Sequence, residues 1–538
     1  MERADLELES IPNAVRVAAS RYGADEALVG QHRRWTFAKL EEEMLAAVRA
    51  AMAAGIRPGD RAAIWAPNCP EWILAALGIL GAGGVLVPVN TRFRGHEAAY
   101  VLRKSGASAL FVTAPFLGVD YLAMLREADP ELAVHRNTIV LDGPPDGGDA
   151  QCRSWERFVA EGDAVALDEA AARVASVRAE DVSDIMFTSG TTGMPKGVVL
   201  THGQSLRTYG WLGGQFTFRR GDRYLIVPPF FHTFGYKAGW LACIMFGMAA
   251  IPQSVFTPAE VLERIATERV SVLLGPPTLY LDLINHPARR QYDLTSLRVA
   301  TPSATIVPVE LVRQLRGTLG FDVVLTAYGL TEATSVVTSC GPKDDPEDIA
   351  TSVGRAMDGV EVVVVDDDGH HLPPGSPGEV LVRGFNVTRG YWEDPEATAA
   401  VIDAAGWLHT GDIGILDERG YLRIVDRKKD LFIVGGFNVA PAEVEAVLRE
   451  HPGVAEVAVV GVPDARLGEV GVAFVVPSPD APAGSIDEAE VVAWARARLA
   501  NFKVPRRVIV TGQLPKNASM KVLKSELREQ AVAVTAPG

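Results

Sequence analysis

Cysteine is scarce in this chain. Its four copies, Cys69, Cys152, Cys243 and Cys340, lie far apart in 538 residues. That spacing excludes a disulfide framework and the paired pattern of a zinc site, and it fits a reducing cytoplasm. An excess of basic residues is also missing: 52 Lys and Arg stand against 67 Asp and Glu, a formal charge of -15. Such a surface repels a phosphate backbone and an anionic bilayer, so nucleic acid is not an expected partner. The first residues, Met1 to Glu7, lack the basic-then-apolar layout of a secretory signal. One apolar run is long enough to need weighing as a membrane span, Trp72 to Val89, but four glycines and a proline interrupt it. It reads as a buried helix to about Leu80, a turn at Gly81-Ala82-Gly83-Gly84, and a core strand from Val85, so no membrane span is expected.

What is present is an alternation of short apolar runs with helical stretches: Arg61 to Trp65, the helix just described, Val85 to Val89, then a helix near Glu97 to Lys104. This rhythm predicts an α/β class with mostly parallel strands through a large N-terminal domain, residues 1–425. Past it the pattern changes to short strands around Val457 to Val460 and Val472 to Val476. Two helices accompany them, with apolar faces at Val444, Val447 and Leu448 and at Val491, Val492, Ala495 and Leu499. Residues 431–538 are therefore expected to form a smaller α+β lobe, joined through the charged connector 426–430.

The densest chemistry lies in Thr188-Ser189-Gly190-Thr191-Thr192-Gly193-Met194-Pro195-Lys196-Gly197, which follows the apolar stretch Ile185 to Phe187. Glycines let backbone N–H groups close on an anion, hydroxyls add donors, and Lys196 adds a full charge. The segment suits a polyphosphate, yet neither the Walker A spacing nor the dinucleotide fingerprint fits it. Further on stand Tyr328-Gly329-Leu330-Thr331-Glu332, Trp407-Leu408-His409-Thr410-Gly411-Asp412, Gly435-Gly436-Phe437-Asn438-Val439 and Leu514-Pro515-Lys516-Asn517-Ala518-Ser519-Met520-Lys521.

Taken in this order, these segments resemble the motifs of the adenylate-forming superfamily, in its acyl-CoA synthetase branch, over nearly the whole chain. The resemblance implies that ATP activates a carboxylic acid as an acyl-adenylate, whose acyl group then passes to coenzyme A. It implies that Thr188, Ser189, Gly190, Thr191, Thr192 and Lys196 cradle the phosphates, and that Tyr328 stacks on adenine. Thr331 would contact phosphate, and Glu332 would hold Mg2+, a hard cation suited to a carboxylate. Asp412 would accept from both ribose hydroxyls, with Arg427 close by. Lys521 would reach the α-phosphate during adenylation, although the family's usual Gly-Lys is Met520-Lys521 here. Gly435 and Gly436 would line the pantetheine channel, and Lys429 would mark the hinge about which a mobile C-terminal lobe swings between the two half-reactions.

On the acyl side the resemblance points to His232 as a gating residue beside the carboxylate, with Tyr236, Lys237, Ser303, Ala304 and Thr305 as further substrate-binding candidates. Lys237 can donate to a ring ketone, although a lysine at a helix start more often faces solvent. Pro229-Phe230-Phe231-His232, Gly275-Pro276-Pro277-Thr278 and Ala500-Asn501-Phe502-Lys503 are similar to ligases that load a bicyclic propanoate derived from steroid rings. Against that, Thr301-Pro302-Ser303-Ala304-Thr305 replaces a turn that is usually glycine-rich, which reduces room for an acyl group. Medium- or long-chain fatty acids, and delivery to a separate carrier protein, remain open alternatives at this point, as does homo-oligomerisation.

Overall fold

The computed structural model describes residues 8–142, 152–188, 195–302, 309–427, 430–434, 437–464, 467–479, 486–499, 501–517 and 521–535. The chain divides into two compact units, residues 1–362 with 382–408, and residues 363–381 with 409–538. A boundary at 425 is the expectation from sequence. Compactness instead groups 409–425 with the smaller unit, where Leu422–Arg427 carries Asp426, whose carboxylate accepts the Ala442 N–H at 2.9 Å at the start of helix Pro441–Arg449.

Among the described residues, the first unit is built on two seven-stranded sheets. One runs Cys152–Ser154, Thr138–Val140, Ala109–Val112, Arg61–Trp65, Val85–Pro88, Val182–Thr188, Lys196–Thr201. Its strands are parallel until the last pair, which is antiparallel. The other centres on Val272–Gly275, Arg223–Ile226 and Ala249–Pro252, again parallel, and ends in the antiparallel pair Glu26–Val29 and Arg34–Thr36. Parallel strands covered on both faces should read as unbroken apolar runs rather than alternating ones, and Val85–Pro88, Ala109–Val112 and Val272–Gly275 are buried at every position.

The run Trp72 to Val89 divides as its glycines require. Helix Pro70–Gly81 starts with proline in its first turn and Glu71 at its positive end, both of which favour initiation there. It stops before Gly83, whose φ of +82° is costly for any residue with a Cβ, and strand Val85–Pro88 follows. Among the described residues, no helix is long and apolar enough to cross a membrane.

The second unit carries the antiparallel pair Leu408–Leu416 and Leu422–Arg427, and a sheet in which Phe437–Val439, Phe432–Val434, Gly468–Pro477 and Val454–Asp464 lie side by side. Helices Pro441–Arg449 and Glu488–Arg496 turn Val444, Leu448, Val491 and Ala495 into a core with Val457, Val459 and Val475. The first of these helices opens on proline. The second is capped by Asp487, whose carboxylate accepts the Glu490 N–H at 2.8 Å.

Candidate active site

Strand Val182–Thr188 runs into the loop expected to hold phosphate, and Lys196–Thr201 leaves it. Thr188 and Lys196 face each other in the antiparallel register, so the two strands bring the ends of the loop together. Ser189, Gly190, Thr191 and Thr192 lie outside the described residues.

Four residues before Thr188, Asp184 is fully buried. Its carboxylate pairs with Lys237 at 2.9 Å, and Lys237 is equally buried. The lysine anticipated at the surface is therefore an interior cation, and its counter-charge explains how it can be one: an unpaired ammonium could not remain in such a place. Ser183 also donates to Asp184, at 2.6 Å. Burial pulls the Lys237 pKa down while Asp184 opposes the shift. The pair ties the strand entering the loop to the π-helical segment Tyr236–Leu241. In that segment Tyr236 stacks on Trp240 with ring centroids 4.8 Å apart and packs on Trp72 at 6.0 Å. The Tyr236 hydroxyl is buried with no hydrogen-bond partner among the described residues. His232 caps the preceding turn, its Nδ1 accepting the Phe234 N–H at 3.2 Å, and is exposed. Ser303, Ala304 and Thr305 fall outside the described residues.

Tyr328 lies in the short strand Ala327–Tyr328, opposite Thr338, while Thr331 and Glu332 form a 3-10 turn with Ala333. The chain then makes an unusual turn: Thr334 and Ser335 both take left-handed φ values, 53° and 63°. Each costs on the order of 1–3 kcal/mol and persists only where its surroundings hold it. Here they do. Tyr209 donates to the Thr334 carbonyl at 3.2 Å, the Thr334 hydroxyl donates to the Asn386 carbonyl at 2.7 Å, and Thr233 and Ser335 share a hydroxyl bond of 2.6 Å. Gly329 is required by the same crowding, since a Cβ there would lie 2.3 Å from the Ser335 carbonyl.

Glu332 is half-buried, and no basic side chain among the described residues pairs with it. Its carbonyl accepts the Thr388 N–H at 2.7 Å, and its carboxylate accepts the Tyr391 hydroxyl at 2.9 Å. Burial first, and then this carboxylate, push the Tyr391 pKa upward, so the hydroxyl stays protonated and donates. The Tyr391 ring in turn lies 5.1 Å from the Lys196 ammonium. A half-buried carboxylate with hard oxygens and no counter-cation among the described residues, next to Thr331 in the chain, suits a magnesium ion. Tyr391 was missed in the sequence; only the aromatic pair Tyr391-Trp392 after Gly390 could have signalled it.

In the second unit, Asp412 and Arg427 are register partners across Leu408–Leu416 and Leu422–Arg427, and Asp412 is buried. The two residues expected near a ribose thus share one strand pair. The Asp412 N–H donates to Thr410 Oγ1 at 3.1 Å, which fixes the turn of the Thr-Gly-Asp sequence. Strands Phe432–Val434 and Phe437–Val439 pair with Val434 opposite Phe437; Gly435 and Gly436, between them, lie outside the described residues, as does Lys429. Lys521 is exposed. Its N–H donates to Asn517 Oδ1 at 2.9 Å and its carbonyl accepts the Asn517 N–H at 2.8 Å.

Residues 15–392 match the AMP-binding enzyme family, and residues 443–521 match the AMP-binding enzyme C-terminal domain. The 7a-methyl-1,5-dioxo-octahydroindenyl propanoyl:CoA ligase of Mycobacterium tuberculosis is 48% identical, over 97% of this chain and 99% of its own length. The ligase of the same name from Rhodococcus jostii is 47% identical, over 96% and 98%. Among solved structures, the anthranilate CoA ligase AuaEII in complex with anthranoyl-AMP superposes with a TM-score of 0.87 at 26% identity, covering 100% of both chains. ATP-bound MatB from Rhodopseudomonas palustris gives 0.85 at 29%, covering 98% of this chain and 100% of its own. The hairpin Val182–Thr188 and Lys196–Thr201, the Glu332 turn and the Asp412 strand pair are thus set in a chain that belongs to the AMP-binding enzyme family, as an acyl-CoA synthetase of the AMP-forming kind.

Proposed function

We propose that this ligase takes a bicyclic, ketone-bearing propanoate of steroid-ring origin. What supports the reading is the near-full-length identity to two ligases named for such an acid. In the first half-reaction the acid's carboxylate attacks the α-phosphate of ATP and pyrophosphate leaves; in the second the coenzyme A thiol displaces AMP. Thr188, Ser189, Gly190, Thr191, Thr192 and Lys196 hold the polyphosphate, Tyr328 stacks on adenine, and Asp412 with Arg427 holds the ribose. Glu332, with Thr331 next to it in the chain, would hold Mg2+, which would neutralise phosphate charge. Lys521 stabilises the charge that builds between α-phosphate and acyl oxygen.

On the acyl side we assign His232, Tyr236, Ser303, Ala304 and Thr305; Lys237, expected there as well, is fully buried against Asp184 and is assigned a structural role instead. The connector 426–430 then pivots at Lys429, so that the segment 431–538 presents Lys521 for adenylation and Gly435 with Gly436 for thioester formation. A thiol near its free pKa of about 8.5 ionises enough to attack a mixed anhydride, so no dedicated base is assigned.

The test is ATP-dependent pyrophosphate release over a panel of acids, with and without coenzyme A and with products identified by mass. The panel holds the bicyclic propanoate, straight-chain fatty acids and benzoates. Preferred conversion of the bicyclic acid to its thioester supports the reading. Preference for another acid overturns the substrate and retains the chemistry.

A further inference from the structure

Tyr391 lies in a segment that no motif reading singled out. The segment around Tyr391 is fastened to the strand leaving the phosphate loop at three successive points. The Thr388 hydroxyl donates to the Val199 carbonyl at 2.7 Å, the Gly390 carbonyl accepts the Val199 N–H at 3.1 Å, and the Trp392 N–H donates to the Gly197 carbonyl at 2.7 Å. Tyr391 itself bridges to Val198, and its N–H donates to Thr398 Oγ1 at 2.9 Å. The same segment grips the Glu332 turn through the Thr388 N–H, and Asn386 donates to the carbonyls of Ala333 and Val336 at 3.3 and 2.8 Å. Residues 386–392 therefore act as a strap between two pieces of the site far apart in sequence, with Tyr391 at its centre.

We propose that Tyr391 is a positioning residue for nucleotide binding: its hydroxyl orients the metal-binding carboxylate of Glu332, and its ring face holds Lys196 ready for phosphate. The geometry divides the two tasks between two parts of one side chain. The hydroxyl, 2.9 Å from Glu332, leaves that carboxylate one oxygen directed by a neutral donor and removes none of its charge. A cationic donor in the same place would cancel the charge that attracts a divalent ion. The ring attracts the Lys196 ammonium through its quadrupole without a counter-ion, so the lysine is held but not neutralised. A carboxylate in that role would compete with phosphate.

This inference rests on Glu332 being a metal ligand, and the test separates the two claims. ATP binding is measured by calorimetry on the full chain, once with Mg2+ and once with EDTA, for the parent protein, Tyr391→Phe, Tyr391→Leu and Glu332→Gln, with a melting curve for each. Tyr391→Phe keeps the ring and loses the hydroxyl. It should weaken ATP binding about tenfold in Mg2+, as expected for loss of a hydrogen bond to a charged group, with little change in EDTA. Tyr391→Leu should lose about a further threefold in both conditions, as the ammonium–ring contact goes. Equal weakening of Tyr391→Phe in Mg2+ and EDTA would reduce the residue to a structural one and overturn the proposal. Binding by Tyr391→Phe that matches the parent in Mg2+, while Glu332→Gln weakens it, would also overturn it and leave the metal reading standing. If Glu332→Gln binds Mg2+ and ATP like the parent, the metal reading fails and the proposal falls with it.

Discussion

The two units present their reactive groups in opposite ways. In the first, Glu332 sits in a turn whose strained residues, Thr334 and Ser335, are held by Tyr209, Asn386 and Thr233, and whose carboxylate is already aimed by Tyr391. In the second, Lys521 stands exposed, with its backbone tied to Asn517. The first arrangement is preorganised and cannot be altered at one point without disturbing its neighbours. The second is a single long side chain, whose proposed contribution depends on reaching the phosphate at the right step. A site of the first kind transmits damage into stability, whereas a site of the second kind confines damage to one chemical step.

The largest effect should come from breaking the first region at its foundation. Lys237→Met leaves the Asp184 carboxylate buried and unpaired, which typically costs on the order of 3–5 kcal/mol. Removing both charges with Asp184→Asn in the same chain should restore most of that stability, because two neutral groups of similar volume need no counter-ion. Denaturant midpoints of the two single variants and the double variant check this. Additive losses would mean the pair is not coupled.

Lys521→Ala tests the other side of the comparison. Removal of one electrostatic contact to charge developing in the transition state typically costs 100- to 1,000-fold in rate, roughly 2.7–4 kcal/mol. That loss should appear in pyrophosphate release and not in conversion of supplied acyl-adenylate to thioester, and the melting temperature should stay put. Equal loss in both half-reactions would remove the assignment of Lys521 to one step.

The contrast also separates what was legible in the sequence from what was not. The candidates Glu332, Asp412 and Lys521, and the loop after Thr188, drew notice because each sits in a local run of unusual composition, and strands such as Val85–Pro88 and Val182–Thr188 followed from apolar runs. The Trp72 to Val89 run resolved into helix, turn and strand because its glycines and proline mark the breaks within a few residues. Long-range pairings left no such trace. Nothing near Lys237 hints at Asp184, and a lysine at a helix start more often faces solvent. Tyr391 is 59 residues from Glu332, and only the folded strap brings them together. The grouping of 409–425 with the smaller unit was hidden for the same reason, since packing of Leu422–Arg427 under helix Pro441–Arg449 cannot be read from either segment alone.

A smaller effect should follow from acid. His202 is buried in the first unit, where its Nδ1 accepts the Ile11 N–H at 3.3 Å. Burial, and secondarily the charge of Lys237, lower its pKa to about 3. The unfolded chain regains a value near 6.5 and binds the proton first, so stability present above pH 6.5 is lost as pH falls toward 3. Between pH 6.5 and 5.5 the loss should be about 1 kcal/mol. His202→Asn, which keeps an acceptor for Ile11, should flatten that part of the pH–stability profile; an unchanged slope would assign it to other groups.

The smallest expected effect asks whether the preorganised region extends to the acyl side. The Tyr236 hydroxyl is buried beside Trp72 and Trp240 with no hydrogen-bond partner among the described residues, an arrangement that costs free energy unless a further polar group completes it. A ring ketone of the proposed bicyclic acid is such a group. Tyr236→Phe removes the hydroxyl and preserves the aromatic stack, so the KM for the bicyclic acid should rise about threefold to tenfold while the KM for ATP holds steady. If the KM for the acid is unchanged and the protein melts at a higher temperature, the hydroxyl is only an unpaid polar burial, and the preorganisation seen around Glu332 ends at the nucleotide.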